Sequence, residues 1–283
     1  MVSTYLLAYA YLSERWRAGP LIRKQNNANE GPSFTPQNVL TEDDFVSFIQ
    51  NTFPLFTTSD VSKTLLYYPS SDAAVDPAAP DFATAGNSTI TALNESTYAT
   101  GQQQRANNLY AETTFVCPAY WMAEAFTSPR IGGRGPGGKA FKYQYSIPGA
   151  QHGSDVAAIF GPPTPNQGPN FVRAIQTIWG NFVIRDDPSL DAVVVNGANS
   201  TSSNAQALAF PEFDLRTTLQ VNLNETGGTP YSAANAVPGN MNVTQLRDPG
   251  LENALSIVDA YAWEGGRGRR CDFWRSVGKV VPE

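Results

Sequence analysis

The sequence predicts a mixed α/β fold, because strand-like and helix-like patterns both occur along the chain. Residues Lys139 to Ile147 alternate between apolar and polar positions, which is typical of a strand. Apolar residues recur at helical spacing from Phe45 to Phe53 and again from Phe171 to Phe182. Stretches rich in Gly, Pro, Ser and Thr separate these elements. We therefore expect few strands, many helices and long loops.

Two helices are expected early in the chain. Thr41 precedes Glu42-Asp43-Asp44 in a pattern that resembles a capping box, which starts the first helix. A second short helix is expected from Asp60 to Tyr68, and Pro69 ends it. Residues 69–97 are rich in Ala, Asp, Pro, Ser and Thr and indicate a surface excursion.

The rest of the chain predicts helices more often than strands. A long helical pattern begins at Gly101 and is interrupted near Pro118. The last third predicts a strand from Leu219 to Leu223 and a weakly patterned helix from Asn253 to Trp263. An amphipathic segment from Cys271 to Val277 follows. No internal repeat and no clean linker occur, so one architectural unit is expected.

Composition and charge exclude two classes of partner. The 283 residues have a net charge of −6, and 16% of them are charged. Nucleic-acid binding and attachment to membrane surfaces need clustered Lys and Arg, so neither is expected. The basic run Arg267-Gly268-Arg269-Arg270 is interpreted as a solvated loop. No run reaches the roughly 18 apolar residues that a membrane span needs, so no transmembrane segment is expected.

Several features favour a secreted glycoprotein. The segment from Val2 to Leu12 is apolar, but it lacks a basic start and a small-residue cleavage site, so a signal peptide is not evident. Cys117 and Cys271 allow at most one internal bridge, or they are two unrelated buried thiols. Five Asn-x-Ser/Thr sequons are candidate glycosylation sites, at Asn87, Asn94, Asn199, Asn224 and Asn242.

The candidate chemistry is concentrated after the Lys139–Ile147 strand. The turn that follows contains His152, the only histidine of the chain. A lone histidine in a turn is more often solvent-facing or structural. The acidic turn Asn26-Asn27-Ala28-Asn29-Glu30-Gly31 lies far upstream. An imidazole paired with a carboxylate is typical of two members of a hydrolytic triad, in which the third member is a nucleophile.

An ordered series of motifs resembles the C-terminal half of the type B carboxylesterases, an α/β-hydrolase family that includes cholinesterases and secreted lipases. The resemblance covers about residues 20–283, and residues 1–19 match nothing in it. In chain order the motifs are Asn26–Gly31, Phe115-Val116-Cys117-Pro118-Ala119, Tyr143-Gln144-Tyr145, His152-Gly153-Ser154-Asp155, the helix Phe171–Phe182, Phe210-Pro211-Glu212-Phe213 and Cys271-Asp272-Phe273-Trp274.

The resemblance implies the C-terminal part of an α/β-hydrolase fold and a serine esterase or lipase that forms an acyl-enzyme. In this fold the triad runs serine, acid, histidine along the chain, which assigns Glu30 as the acid and His152 as the base. The resemblance also implies a disulfide between Cys117 and Cys271. The substrate would be a small-molecule or lipid ester. No cofactor and no metal are expected, because one histidine and two cysteines offer no ligand cluster.

The chain departs from the family pattern at the nucleophile. No Gly-x-Ser-x-Gly pentapeptide occurs in the chain, and neither does the glycine-rich segment that forms the oxyanion hole. We therefore expect the chain to be inactive alone, as a truncated product or an incomplete gene model. Its acid strand would then lie at an open sheet edge. The alternative is a non-catalytic, secreted, cholinesterase-like binding protein.

Overall fold

The structure is a computed structural model. It describes residues 21–70, 98–99, 101–127, 138–197, 206–214, 216–234 and 242–281. Residues 1–19 and nearly all of the expected surface excursion lie outside this part of the chain. None of the helices in the described part is long and apolar enough to cross a membrane.

Four strands form one sheet, in the order β1-β2-β3-β4. The first three run parallel to one another, and β4 runs antiparallel to β3. Among the described residues β1 pairs only with β2, so it forms an edge of the sheet. The strands are β1 (Leu21–Asn27), β2 (Lys139–Tyr145), β3 (Leu219–Ala234) and β4 (Asn242–Asp259).

The helices follow the predicted pattern over most of the chain. Both early helices begin with a capping box, formed by Thr41 with Asp44 and by Thr57 with Asp60. The described helices are α1 (Glu42–Thr52), α2 (Thr58–Tyr67), α3 (Gly101–Ala111), α4 (Cys117–Thr127), α5 (Ser154–Phe160), α6 (Pro169–Arg185), α7 (Ala192–Asn196) and α8 (Trp263–Val277).

A π-helical segment, Glu112–Val116, joins α3 to α4. Pro118 follows it and has no backbone N–H to donate. In a regular α-helix its ring would also clash with the carbonyl four residues earlier. A single π-helical turn changes the local hydrogen bonding while the helix continues. The interruption predicted near Pro118 is confirmed in this form.

Side chains on the two faces of β2 belong to two different cores. Phe141, Tyr143 and Tyr145 lie in one core, together with the apolar stripe of α6. Ala140 belongs to the other core, with residues of α1, α4 and α8. Successive residues of a strand point to opposite faces, so β2 is covered on both sides.

The C-terminal third corrects one prediction. Asn253 to Trp263 was expected to be helical, but Asn253 to Asp259 belongs to β4, and only Trp263 belongs to a helix. The predicted strand from Leu219 to Leu223 is the start of the much longer β3. The weak helical pattern is overridden because pairing along β3 satisfies the backbone donors and acceptors of this segment.

The basic run was also interpreted wrongly. Arg267 and Arg270 lie in α8 and are buried, and only Arg269 of the three is exposed. Arg267 Nε donates to Glu112 Oε1 at 2.9 Å, and Arg270 Nη2 donates to the same oxygen at 2.7 Å. Glu264 lies 3.6 Å from Arg267 Nη2. The partner carboxylate of Glu112 comes from a distant helix, which no local pattern reveals.

The disulfide that the resemblance implied is present. Cys117 and Cys271 are bonded, with their Cα atoms 5.1 Å apart. The bond joins the start of α4 to α8 across 154 residues of sequence. It therefore fastens the C-terminal helix to α4, the last described helix before β2.

Candidate active site

The loops that follow β1 and β2 lie side by side. The strands are parallel neighbours, and Asn27 pairs with Tyr145 at the last position of the ladder. Ala28 N then donates to Tyr145 O at 2.9 Å, and Asn29 N donates to Ala150 O at 3.0 Å. These backbone bonds hold the acidic loop against the histidine loop.

Glu30 and His152 form a direct hydrogen bond across these loops. Glu30 Oε2 lies 2.7 Å from His152 Nδ1, although the two residues are 122 positions apart in sequence. The Glu30 side chain is 5% exposed, whereas the His152 side chain is 48% exposed. The acid and the base predicted from the sequence are therefore in contact, with the acid covered and the base open to solvent.

The other oxygen of Glu30 is held by its own loop. Asn27 donates to Glu30 Oε1 twice, from its backbone N at 2.6 Å and from its side-chain Nδ2 at 3.2 Å. Hydrogen bonds from N–H groups to a carboxylate stabilise its charged form. The carboxylate is therefore anchored at one oxygen and presented to His152 at the other.

Gly31 is required by the packing of α3 against the acidic loop. A Cβ atom at this position would lie 1.8 Å from the backbone oxygen of Asn107. Only glycine permits so close an approach of two backbones. The glycine beside Glu30 thus has a local physical reason, independent of any resemblance.

The environment of His152 raises its pKa above the ordinary value of 6.5. The hydrogen bond to Glu30 is the largest cause, and partial burial acts in the opposite direction. The charges of Glu30 and Asp155 add to the increase. An imidazole stabilised in its protonated form is suited to receive a proton during a reaction.

Two aromatic rings pack against the imidazole. The Phe34 ring meets it edge-on with centroids 5.2 Å apart, and the Phe115 ring lies 4.7 Å away. Phe115 is carried by the π-helical segment, and such segments often occur at functional sites. These contacts limit the orientations that His152 can adopt.

Two polar residues at the site were not predicted to have a role. Asp155 is buried, and its Oδ1 accepts from Asn27 Nδ2 at 3.4 Å. Its Oδ2 lies 3.3 Å from the hydroxyl of Tyr143, which also contacts Gln25 Oε1. Burial raises the pKa of Asp155, and the charge of Glu30 raises it further. The sequence offered a signal for both residues, because Asn27 lies three positions before Glu30 and Asp155 lies three positions after His152.

The imidazole of His152 forms one hydrogen bond within the described part of the chain, and its partner is Glu30. No group of three or more metal-ligating side chains occurs there either. The arrangement can therefore orient and protonate an imidazole, and within the described residues no hydroxyl is hydrogen-bonded to that imidazole.

The sequons differ in accessibility. Asn224 lies in β3 and is only 4% exposed, so its side chain is not open to modification in the folded chain. Asn242 begins β4 and is exposed. The other three, at Asn87, Asn94 and Asn199, lie outside the described residues.

Comparison with solved structures finds the crystal structure of Aspergillus niger EstA, an esterase with the α/β-hydrolase fold. The TM-score is 0.50 at 13% sequence identity, and the match covers 97% of this chain and 43% of EstA. The chain adopts part of an α/β-hydrolase fold. At this identity the likeness shows the fold alone. No family model matches the chain, and no curated protein matches it.

The α/β-hydrolase fold confirms the fold class predicted from the sequence. The chain spans less than half of EstA, so the likeness concerns one part of that fold. In α/β-hydrolases the catalytic acid precedes the histidine in the chain. Glu30 and His152 occur in this order, after adjacent parallel strands.

Proposed function

We propose that this chain supplies the acid and the base of a serine carboxylic-ester hydrolase of the type B carboxylesterase kind. The observation that carries the proposal is the 2.7 Å contact between Glu30 Oε2 and His152 Nδ1, at the carboxyl ends of adjacent parallel strands. The α/β-hydrolase fold and its likeness to an esterase support it. The type B assignment rests on the sequence motifs.

The proposed mechanism follows from which imidazole nitrogen is engaged. Glu30 holds the proton on Nδ1, which leaves Nε2 to take a proton from a serine hydroxyl. The serine oxygen then attacks the ester carbonyl, and Nε2 returns the proton to the leaving alcohol. Water, activated by the same nitrogen, releases the acid product. Oxyanion donors stabilise the charge that develops on the carbonyl oxygen.

The serine and the oxyanion donors are proposed to come from polypeptide outside these residues. The chain contains no Gly-x-Ser-x-Gly sequence, and it matches 43% of the length of EstA. A fluorophosphonate probe tests the chain directly, because it labels activated serines. We expect no labelled serine in the purified chain. Specific labelling would contradict the proposal.

A transcript-level experiment tests the whole proposal. RNA sequencing across the 5′ end of the locus should find an upstream frame that encodes Gly-x-Ser-x-Gly. The longer product should hydrolyse p-nitrophenyl esters, and His152→Ala should abolish this activity. Glu30→Gln should lower kcat by about 10³–10⁴, because it removes the charge and the correct tautomer. Full activity of the His152→Ala variant would overturn the roles assigned here.

A non-catalytic binding protein is the second candidate. The absence of a nucleophile motif beside an otherwise complete acid–base pair favours it. A verified transcript that starts at Met1 would support this candidate over an esterase. The α/β-hydrolase surface would then act as a binding surface only.

Secretion is proposed from the disulfide and the sequons. Disulfides persist in oxidising compartments, and Asn242 is exposed in a sequon. Both the wild type and Asn242→Gln are expressed in a secretory host and treated with a glycosidase. The mass that the wild type loses should exceed the mass that Asn242→Gln loses by at least one glycan. Asn224→Gln is the matched control, and its glycan content should equal that of the wild type because Asn224 is buried.

A further inference from the structure

We propose that Asn27 is a positioning residue that decides which oxygen of Glu30 faces His152. The inference rests on the proposed function, since it concerns the same acid–base pair. Its test, however, needs no ester turnover and no nucleophile.

Asn27 directs two donors at one oxygen of Glu30. Its backbone N and its Nδ2 both donate to Glu30 Oε1, at 2.6 Å and 3.2 Å. Among the described residues, Glu30 Oε2 receives one hydrogen bond, from His152 Nδ1 at 2.7 Å. Turning the carboxylate away from His152 would break two charge-assisted hydrogen bonds as well as the bond to the imidazole. Glu30 is buried, so water does not readily replace them.

The neighbours of the Asn27 amide fix its orientation. Its Nδ2 lies between two carboxylates, 3.2 Å from Glu30 Oε1 and 3.4 Å from Asp155 Oδ1. An amide oxygen in that place would face two acceptors, so the nitrogen must occupy it. The Asn27 Oδ1 atom is buried and has no hydrogen-bond partner in the part of the chain that the structure describes. A buried polar atom without a partner needs an explanation, and here the amide serves through its donor side.

Asp155 is itself held in place. The hydroxyl of Tyr143 lies between Gln25 Oε1, its shorter contact, and Asp155 Oδ2 at 3.3 Å, and both Tyr143 and Asp155 are buried. The contacts run from Tyr143 to Asp155, from Asp155 to Asn27, and from Asn27 to Glu30. The loop geometry of Glu30 is thus fixed from β2 and α5 as well as from β1.

Positioning matters because the tautomer of His152 depends on it. An imidazole with its proton on Nδ1 has Nε2 free to accept a proton from a nucleophile. If the carboxylate turned away, the proton could move to Nε2, and this form cannot act as the base. Asn27 therefore acts through Glu30 and does not touch the reacting atoms.

The test is ¹⁵N NMR of the purified full chain, which is simple because His152 is the only histidine. At a pH above its pKa, the wild-type imidazole should carry its proton on Nδ1. Asn27→Ala keeps the backbone N–H bond to Glu30 Oε1 and removes only the bond from Nδ2. The fraction of the Nδ1–H form should therefore fall relative to the wild type, and the pKa of His152 should fall toward its ordinary value. Asn166→Ala is the matched control. The buried Asn166 amide donates to Pro148 O in the loop that carries His152, and it has no contact with Glu30. It should change neither reading.

Asn27→Leu guards against a fold defect in the alanine variant, because it fills a similar volume without a donor. An unchanged tautomer and pKa in a folded Asn27→Ala or Asn27→Leu variant would overturn the positioning role and leave the proposed function intact. A wild-type imidazole with its proton on Nε2 would overturn both. Failure of the esterase assay together with the expected NMR changes would overturn the proposed function alone.

Discussion

Two acid–base groups in this protein are built from similar residues and differ in their exposure. The first is the Glu30–His152 pair, in which His152 is half-exposed. The second, which we name the buried arginine cluster, consists of Glu112, Glu264, Arg267 and Arg270. Its side chains are at most 3% exposed. Both groups connect segments more than 100 residues apart in sequence.

The difference shows which group can exchange protons. Burial acts to lower the pKa of Arg270, but attraction and hydrogen bonding to Glu112 outweigh burial and raise it. Burial acts to raise the pKa of Glu112, but Arg270 and Arg267 lower it. The charges of Glu112 and Arg270 therefore stay fixed and serve the structure. Burial raises the pKa of Glu264 to about 7, but this carboxyl is covered from solvent. The hydrogen bond to Glu30 raises the pKa of His152, and its side chain has access to solvent, so its proton can be exchanged.

The largest effect is expected from breaking the buried arginine cluster. Glu112→Gln would leave Arg267 and Arg270 buried without their shared carboxylate. Removal of one partner from a buried ion pair typically costs about 3–5 kcal/mol. The free energy of unfolding from urea titration measures this loss. A loss below about 1 kcal/mol would show that water or other groups compensate, and the cluster would then not be structural.

Reduction of the disulfide should have the next largest effect. The Cys117–Cys271 bond closes a loop of 154 residues and joins α4 to α8. Loss of a native disulfide typically costs about 2–5 kcal/mol. A Cys117→Ala/Cys271→Ala double variant should therefore unfold at lower urea concentration than the wild type. Equal urea midpoints for the two proteins would refute the stabilising role of the bond. Alkylation of both cysteines in the wild type without reductant would refute the bond itself.

A smaller effect, on pH dependence, is expected at the exposed pair. Because His152 has a folded pKa above its unfolded value, it contributes stability at pH below about 6.5. This contribution is lost as the pH rises through the folded pKa. Glu30→Gln should lower the pKa of His152 in an NMR titration and remove this part of the pH dependence of unfolding. A pKa that stays raised in the variant would identify another cause.

The smallest effect is expected at an ion pair that is exposed on both sides. Lys139 Nζ lies 2.6 Å from Glu212 Oε1, with the two side chains 55% and 52% exposed. Solvent screens such pairs, so Glu212→Gln should change the free energy of unfolding by less than about 1 kcal/mol. This variant is the matched control for Glu112→Gln. If Glu212→Gln lowered the free energy of unfolding as much as Glu112→Gln does, exposure would not decide how much an ion pair contributes to stability.

Local pattern was sufficient for much of the fold. The capping residues Thr41 and Asp44 start α1 as expected, because a cap acts within one turn. The alternation in β2 correctly placed Phe141, Tyr143 and Tyr145 together. The helix predicted from Asn253 to Trp263 was wrong because most of this segment pairs with β3 as part of β4. Local helix propensity takes no account of such a partner strand.

The candidate site likewise contains residues that the sequence predicted and residues that it did not predict. Glu30 and His152 were available from the sequence, because the residue types and their order in the chain resemble a known family. The roles of Asn27 and Asp155 were not, because they depend on which side chains meet at the ends of β1 and β2. The basic run of α8 is the clearest case, since its partner Glu112 precedes Arg267 by 155 residues.

By itself, the sequence determined the fold class, most helices and the two candidate catalytic residues, since these follow from local periodicity and motif order. Only the tertiary structure decided the exposure of each charged group, and exposure sets its pKa and its capacity to exchange protons. His152 and Arg267 look alike in sequence, as basic residues in polar, glycine-containing stretches. Packing makes one a half-exposed base and the other a fixed, buried charge, because burial depends on elements distant in the chain.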